Sequence, residues 1–180
     1  MAGDNKRDPV PSSAAAPVPE SISIIDKPDD SVLADLAAVH QAAFEAQGET
    51  GWSADSLAAL ATQDGVFVLL ATAVDGALTG FDSVAGFALV RIVFDEAELL
   101  TFAVAPAHQR RGMARRLLHV LRQFLSQRAV DRCLLEVRHD NEAAVQLYRK
   151  FGFEQIATRK NYYNTIGGKR VDAEIFCLNL

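Results

Sequence analysis

The hydrophobic and polar positions of the chain follow two periods, and these periods predict its helices and strands. Apolar residues recur at helical spacing at Leu33, Leu36, Ala37, His40 and Phe44, after a cap at Asp30 or Ser31. Further helices are predicted at Ala54 to about Ala61, about Arg111 to Arg128 and about Glu142 to Lys150. Apolar and β-branched runs predict strands at Ile22 to Ile25, Val66 to Ala73, Ala85 to Val93, Glu98 to Val104, Cys133 to Val137, Glu154 to Arg159 and Asp172 to Leu180.

Short polar and glycine-containing segments mark where these elements begin and end. Ser53 is the predicted N-cap of the second helix, and Trp52 and Leu57 are spaced as a hydrophobic staple around it. Gly152 follows the last helix in a helix-stop position. Loops are predicted at Gln47 to Gly51, at Gly76 to Asp82 and around Gly167-Gly168, with a hairpin turn at Asp95-Glu96.

The order of the elements predicts the fold class. Helices are followed by an antiparallel meander and then by helix, strand, helix, strand and strand, which predicts a mixed α/β sheet flanked by helices. Residues 1–22 are rich in Pro, Ser and Ala without an apolar period and are expected to form a disordered tail. Residues 23–180 are long enough for one domain with a full core.

Composition bears on the expected cellular location of the protein and on the state of its cysteines. No apolar stretch approaches the roughly 20 residues of a membrane span, and the polar N-terminus lacks the apolar segment of a secretion signal. A cytoplasmic location is therefore expected. Cys133 and Cys177 lie in apolar strand-like runs and are expected to be buried, reduced thiols without the spacing of a metal site.

Charge is distributed unevenly along the chain. Residues 31–105 carry ten acids and one base, whereas residues 106–180 carry seven acids and fourteen bases, within a net charge of −5. The basic half could hold an anionic ligand and the acidic half could attract a cationic one. Chance patterning of a solvated surface is the alternative.

The most informative segment is Val104-Ala-Pro-Ala-His-Gln-Arg-Arg-Gly-Met-Ala114, where a strand passes through a turn into a helix. The first amides of a helix lack intrahelical partners and point outward at its positive end, where they bind phosphate oxygens. Gly112 and Ala114 keep side chains small where a pyrophosphate would approach, and Arg110, Arg111 and Arg115 add positive charge. A plain strand–helix connection with solvated arginines is the alternative.

Here the sequence resembles a known family. Gln-x-x-Gly-x-Ala after a Val-x-Pro strand end is similar to the coenzyme-A pyrophosphate loop of the GNAT superfamily of N-acetyltransferases. Leu135-Glu-Val-Arg138, Asn141, Leu147 to Phe153, Arg159 to Tyr163 and Asp172-Ala173 resemble the ribosomal-protein-alanine N-acetyltransferases of the RimI type. That group often has Pro before the Trp-Ser pair, whereas this chain has Gly51.

The resemblance implies the GNAT fold, acetyl-CoA as cosubstrate and a role for each matching residue. The backbone of Phe102, Ala103 and Val104 would pair with the pantetheine arm, and the same segment would offer an amide to the developing oxyanion. The pyrophosphate would lie at the helix entrance, and Asn141 would contact the cofactor. Glu136 would be the general base and Tyr148 the general acid. The expected cofactor-binding residues are Phe102, Ala103, Val104, Gln109, Arg110, Arg111, Gly112, Met113, Ala114, Arg115 and Asn141.

Elementary acid–base chemistry is consistent with this assignment. Amide formation from a thioester needs a neutral amine, and about 10% of an α-amino group is neutral at pH 7, against roughly 0.04% of a lysine. A carboxylate acting through water is therefore sufficient for an N-terminal acceptor. Glu136 interrupts an apolar strand, where an acid is costly unless it is paired or used. Tyr148 lies two helical turns after Asn141 and can face the same site.

Each of these residues also has a structural interpretation. Glu136 could be an outward-facing or arginine-paired residue, and Tyr148 an ordinary core tyrosine. His40 is expected to pack on its helix stripe, and His139 to be a loop histidine, although it could tune Glu136. Tyr162 and Tyr163 either line the acceptor tunnel or pack.

The function expected from the resemblance is direct acetyl transfer to a protein N-terminus, with the alanine of a small-subunit ribosomal protein as the acceptor. The expected partners are acetyl-CoA and a basic N-terminal peptide, with no metal, nucleic acid or membrane. The rivals are an acetyltransferase of a small free amine and a non-catalytic acetyl-CoA-binding or partner-binding module.

Overall fold

A computed structural model describes residues 20–45, 49–73, 84–164, 168 and 170–180 of the chain. Residues 1–19 of the predicted tail and the Gly76 to Asp82 turn lie outside the described residues. Part of the loop at 47–51 and Gly167 also lie outside them. The first strand begins at Glu20, two residues before the predicted start at Ile22.

Among the described residues, seven strands form one sheet of order β1-β2-β3-β4-β5-β7-β6. All neighbouring pairs are antiparallel except β4 and β5, which run parallel. The strands are β1 (Glu20–Ile25), β2 (Val66–Ala73), β3 (Val84–Val93), β4 (Glu96–Val104), β5 (Arg132–Arg138), β6 (Glu154–Asn164) and β7 (Arg170–Asn179). The expected mixed, mostly antiparallel sheet is confirmed.

Four helices cover the two faces of this sheet among the described residues: α1 (Asp30–Glu45), α2 (Ala54–Ala61), α3 (Met113–Ser126) and α4 (Glu142–Phe151). Helices α1 and α2 pack on one face over a core that includes Leu36, Leu57 and Phe87. Helices α3 and α4 pack on the other face over a core that includes Leu117 and Phe176. The sheet therefore separates two apolar cores.

Several local predictions are confirmed. The apolar stripe of α3 is buried at every predicted position, namely Met113, Leu117, Leu118, Leu121, Phe124 and Leu125. Ser53 caps α2, because its side chain accepts a hydrogen bond from the Ser56 amide at 3.2 Å. Gly152 ends α4 in the left-handed conformation, at a φ of 109°. Cys133 and Cys177 are free thiols, and Cys133 is buried as predicted, whereas Cys177, which was also expected to be buried, is partly exposed.

Several boundaries differ from the prediction, three of them through contacts that the structure shows. Asp29 caps α1 in place of Asp30 or Ser31, since its carboxylate accepts the Val32 amide at 2.9 Å. The β3–β4 turn is Phe94-Asp95, because Val93 pairs with Glu96 and Phe94 takes a φ of 56°. Strand β6 runs to Asn164, five residues beyond the predicted end at Arg159.

Candidate active site

The site begins where two parallel strands separate. Pairing between β4 and β5 runs from Glu96–Arg132 to Leu99–Leu135 and stops there, although both strands continue. A register shift in the β3–β4 ladder leaves Leu100 as an extra residue between Leu99 and Thr101. Such a bulge bends its strand and increases the local twist. Beyond the bulge, β4 diverges from β5 and its edge faces the opening.

A cavity of about 500 Å³ fills this opening and is lined from both faces of the sheet. His40, Phe44 and Trp52 line it from the α1–α2 side, whereas Met113 and Leu147 line it from the α3–α4 side. The cavity therefore crosses the sheet between β4 and β5. Two ligands could enter it from opposite faces and meet at the centre.

The loop between β4 and α3 forms one end of the cavity. Arg110 and Gly112 both have left-handed backbone, with φ of 62° and 87°. A Cβ added at Gly112 would meet no atom within 4 Å, so its backbone faces open space. Gln109 closes the turn by donating its side-chain amide to the Val104 carbonyl at 3.0 Å. The first residues of α3, Met113 to Arg115, also line the cavity, and the amides of a first helical turn lack intrahelical partners and can bind an anion.

Most of the residues predicted to bind the cofactor lie together in the cavity wall. These are Phe102, Ala103, Val104, Gln109, Arg110, Gly112, Met113, Ala114, Arg115 and Asn141. Arg111 is exposed and lies outside the wall. Asn141 also caps α4, because its side-chain oxygen accepts the Ala144 amide at 3.2 Å. The structure therefore brings together ten of the eleven predicted positions, and their contact with a cofactor stays a prediction.

Glu136 lies on β5 in the wall of the same cavity. Its carboxylate forms an ion pair with the Arg159 guanidinium of β6 at 2.8 Å, and the side chain is 24% exposed. The arginine-paired interpretation from the sequence is thus correct, and the residue still faces the cavity. A partly exposed carboxylate at this position can receive a proton through a water molecule.

Tyr148 lies across the cavity on α4 and is almost fully buried. Its ring packs among Phe102, Phe153 and Phe176, with centroid distances of 5.5 to 6.5 Å. Burial raises the pKa of its phenol well above the ordinary value. Tyr148 is therefore both a core tyrosine and a cavity residue, and its hydroxyl keeps its proton at neutral pH.

A buried histidine, His40, joins α1 to β4 and to the loop before α2, through a network that no sequence pattern indicates. The ring nitrogen Nδ1 of His40 accepts the Trp52 amide at 3.0 Å, and Nε2 lies 2.9 Å from the Thr101 hydroxyl. The ring is stacked between Phe44 and Trp52. Burial lowers the pKa of His40 to about 4, so the ring is neutral. His40 packs as expected and also fixes the loop before α2.

Sequence reasoning also missed an ion-pair network that joins the end of β5 to the loop after α1. Arg138 forms two hydrogen bonds with Asp140, at 2.9 and 2.7 Å, and contacts Glu49 at 3.0 Å. Glu49 lines the cavity, and burial raises the pKa of its carboxyl against the opposing effect of Arg138. An acid in a polar loop carries no sequence pattern that would distinguish it from a solvated residue.

Tyr162 and Tyr163 occupy different positions relative to the cavity. Tyr163 is partly buried and lines the cavity, whereas Tyr162 lies outside it with an Arg159 guanidinium 5.2 Å from its ring. Burial raises the pKa of Tyr163 to about 12, and the negative charge of Glu136 adds to the shift. His139 contacts Glu174 at 2.6 Å, so its partner is not Glu136.

Position 51 requires glycine for a steric reason. A Cβ built on Gly51 would lie 2.5 Å from the Gln41 Cα, which is backbone and cannot yield easily. The segment before Trp52 therefore passes closer to α1 than any residue with a side chain permits. Gly51 sets the path of the loop that carries Glu49 and Trp52 to the cavity.

Two further observations concern the described ranges only. No group of three or more His, Cys, Asp and Glu side chains among them is arranged to hold a metal ion. None of the helices within the described part of the chain has the length and apolar character needed to cross a membrane.

Comparison with known proteins gives the family. Residues 33–153 match the profile of the Acetyltransferase (GNAT) family. The ribosomal protein bS18-alanine N-acetyltransferase of Salmonella typhimurium is 46% identical over 101 residues, which cover 56% of this chain and 68% of that protein.

Solved structures agree with this match. The crystal structure of the ribosomal-protein-S18-alanine N-acetyltransferase from Escherichia coli superposes with a TM-score of 0.75 and 33% identity, covering 89% of this chain and 93% of that one. A PaiA N-acetyltransferase from Thermoplasma acidophilum, solved in complex with coenzyme A, gives a TM-score of 0.65 at 18% identity. It covers 89% of this chain and 99% of the other, and this likeness bears on the fold alone.

Proposed function

The chain belongs to the Acetyltransferase (GNAT) family, and on that basis we propose that it transfers an acetyl group from acetyl-CoA to the N-terminal α-amine of a protein. The observation that carries the proposal is the cavity that crosses the sheet between β4 and β5. One end presents helix amides with Arg110 and Arg115, and the other presents Glu49 and Tyr163. A polyanionic cofactor fits the first end and a cationic amine the second.

The cofactor end supports a pyrophosphate at the start of α3. The left-handed turn at Arg110 and Gly112 directs amides into the cavity, and the small Gly112 and Ala114 leave space beside them. Beyond the bulge, β4 still pairs with β3 but no longer with β5, and the edge on the β5 side offers its backbone to the pantetheine arm in the manner of an added strand. We infer that this pairing directs the thioester toward Glu136 and Tyr148.

The chemical step is direct transfer without an acetyl-enzyme. The amine nitrogen attacks the thioester carbon, its proton passes through water to Glu136, and a backbone amide near Val104 stabilises the oxyanion. The carbon–sulfur bond then breaks, and Tyr148 protonates the departing thiolate. Cys133 is buried and does not line the cavity, so no described cysteine is available as a nucleophile there.

The acceptor we propose is the N-terminal alanine of a ribosomal protein, the activity named for the Salmonella typhimurium and Escherichia coli relatives. The choice of an α-amine over a lysine is supported by the nature of the proposed base, Glu136, which is a carboxylate. Deprotonating an α-amine at pH 7 costs about 1.2 kcal/mol, against about 4.6 kcal/mol for a lysine. A carboxylate already paired with Arg159 suits the smaller demand. Acetyl-CoA would be the cosubstrate.

A pair of synthetic peptides tests the proposal. One carries a free N-terminal alanine and no lysine, and the other has a blocked N-terminus and an internal lysine. With acetyl-CoA, we expect mass spectrometry to detect one added acetyl group on the first peptide and none on the second. Modification of the lysine peptide alone would refute the proposal, and activity restricted to small free amines would favour the small-molecule rival.

The non-catalytic alternative is less well supported, because Glu136 and Tyr148 both line the cavity next to the proposed cofactor path. A binding module would need neither a carboxylate nor a phenol at these positions. Thioester cleavage in the presence of the peptide distinguishes the two, since a binding module would leave acetyl-CoA intact.

A further inference from the structure

Strand β6 contains a distortion next to the acceptor end of the cavity. Arg159 pairs with Ala173 and Tyr163 pairs with Val171, so four steps along β6 correspond to two along β7. Residues 160–162 therefore form a bulge with two extra residues. Asn161, at its centre, has a left-handed backbone with a φ of 55°. Left-handed backbone is unfavourable for residues other than glycine and needs local support.

A single side chain opposite the bulge provides that support. One carboxylate oxygen of Asp172 accepts the Asn161 amide at 2.8 Å, and the other accepts the Lys160 ammonium at 2.7 Å. These bonds lower the pKa of the Asp172 carboxyl, with Lys160 contributing most. The backbone carbonyl of Asp172 also accepts the His139 amide at 3.0 Å. Asp172 of β7 thus forms hydrogen bonds both with the bulge and with His139, the residue that follows β5.

The bulge determines which tyrosine reaches the cavity. Every residue of β6 from Glu154 to Tyr162 is exposed, and Tyr163 is the first that is partly buried. Tyr163 lines the cavity together with Glu136 and Glu49, and the negative charges of both carboxylates contribute to its raised pKa. Without the extra residues, Tyr163 would lie farther along β7 and could not occupy this position.

We propose that Asp172 is a positioning residue of the acceptor site, which acts by holding the 160–162 bulge so that Tyr163 contacts the incoming acceptor. The inference rests on the proposed function, because it assigns the Tyr163 end of the cavity to the acceptor. Asp172 does not line the cavity, so it would act on the acceptor through the bulge. Its effect is therefore confined to acceptor binding and leaves the cofactor loop unchanged.

Steady-state kinetics of Asp172→Ala test the inference, with acetyl-CoA and a free N-terminal alanine peptide as substrates. We expect the KM for the peptide to rise about tenfold, with the KM for acetyl-CoA unchanged. Asp172→Asn keeps an oxygen for the Asn161 amide and should recover most of the peptide affinity. Lys160→Met removes only the exposed ion pair and should resemble the wild type.

A double variant asks whether Asp172 acts through Tyr163. In a Tyr163→Ala background, Asp172→Ala should have no further effect on the KM for the peptide, since the side chain it positions is gone. Additive effects would contradict the inference, as would equal changes in both KM values. If Asp172→Ala does not fold, Asn161→Ala applies the same test by disfavouring the left-handed backbone, with Asn161→Gly as its control.

The outcomes also separate this inference from the proposed function. Absence of peptide acetylation by the wild-type protein would overturn the proposed function and this inference with it. Wild-type activity combined with an unchanged peptide KM in Asp172→Ala would overturn the positioning role alone.

Discussion

The His40 ring donates from Nε2 to the Thr101 hydroxyl at 2.9 Å, and this hydrogen bond ties α1 to β4 next to the bulge at Leu100. The tautomer follows from the other ring nitrogen, which accepts the Trp52 amide and so carries no proton. The same ring therefore positions both β4, where it separates from β5, and the loop before α2. Its neutral form is essential, because an imidazolium could not accept the Trp52 amide.

This arrangement predicts a loss of stability in mild acid. The folded-state pKa of His40 is about 4, below the unfolded value of 6.5, so the unfolded state binds the proton first. The stabilisation from neutral His40 is present above pH 6.5 and is lost as the pH falls toward 4, up to about 3 kcal/mol. Urea unfolding measured across this range should show the decline.

His40→Asn should flatten that dependence, although it lowers the stability at neutral pH. The matched control is His119→Asn, which changes an exposed histidine of α3 and should keep the wild-type slope. A wild-type slope in His40→Asn would show that other groups cause the acid sensitivity.

Glu136→Gln should lower turnover by about 100-fold or more, because the amide cannot accept the amine proton. The affinity for coenzyme A, measured by calorimetry, should remain unchanged. Glu98→Gln is the control, since Glu98 is also an arginine-paired strand carboxylate but does not line the cavity. Equal turnover in Glu136→Gln and wild type would remove the assignment as base.

Tyr148→Phe keeps the ring packing among Phe102, Phe153 and Phe176 and removes only the hydroxyl. We expect turnover to fall by about 100-fold, with little change in thermal stability. Tyr162→Phe, which removes a hydroxyl outside the cavity, should retain full activity. A Tyr148→Phe enzyme as fast as wild type would mean that the thiolate leaves without this acid.

Gly112→Ala should weaken acetyl-CoA binding, and the backbone strain of a left-handed alanine alone does not account for this loss of affinity. Gly112 has a φ of 87° and Gly168 a φ of 74°, and an added Cβ meets no atom within 4 Å at either position. Both alanine variants should cost about 1 kcal/mol of folding stability. Only the Gly112 variant places a methyl group where the pyrophosphate would lie, so only it should raise the Kd for coenzyme A.

The parts predicted well from the sequence are those with strong local signals. The α3 stripe, the Ser53 cap and the Gly152 stop depend on periodicity and cap chemistry, which neighbouring residues determine. The loop from Val104 to Ala114, which is predicted to bind the cofactor, is recognisable because a strand end, a turn and small residues follow one another within eleven positions. The resemblance supplied Glu136 and Tyr148, which lie on different elements of the same cavity wall.

The parts that were missed depend on contacts between distant segments. Arg138 joins Glu49 across 89 positions of sequence, and His40 joins Thr101 across 61. No local pattern encodes such pairs. The end of β6 was placed too early because polar residues 160–162 interrupt its pattern, and Asp172 on the next strand is what maintains the pairing beyond them.

The central claim is that one cavity holds coenzyme A at one end and an N-terminal amine at the other. A bisubstrate conjugate, with coenzyme A joined through an acetyl group to the α-nitrogen of an alanine peptide, tests it by titration calorimetry. We predict binding about 100-fold tighter than that of coenzyme A alone, and tighter than that of the same conjugate linked through a lysine side chain. Binding no tighter than coenzyme A, or equal binding of the two conjugates, would contradict the account.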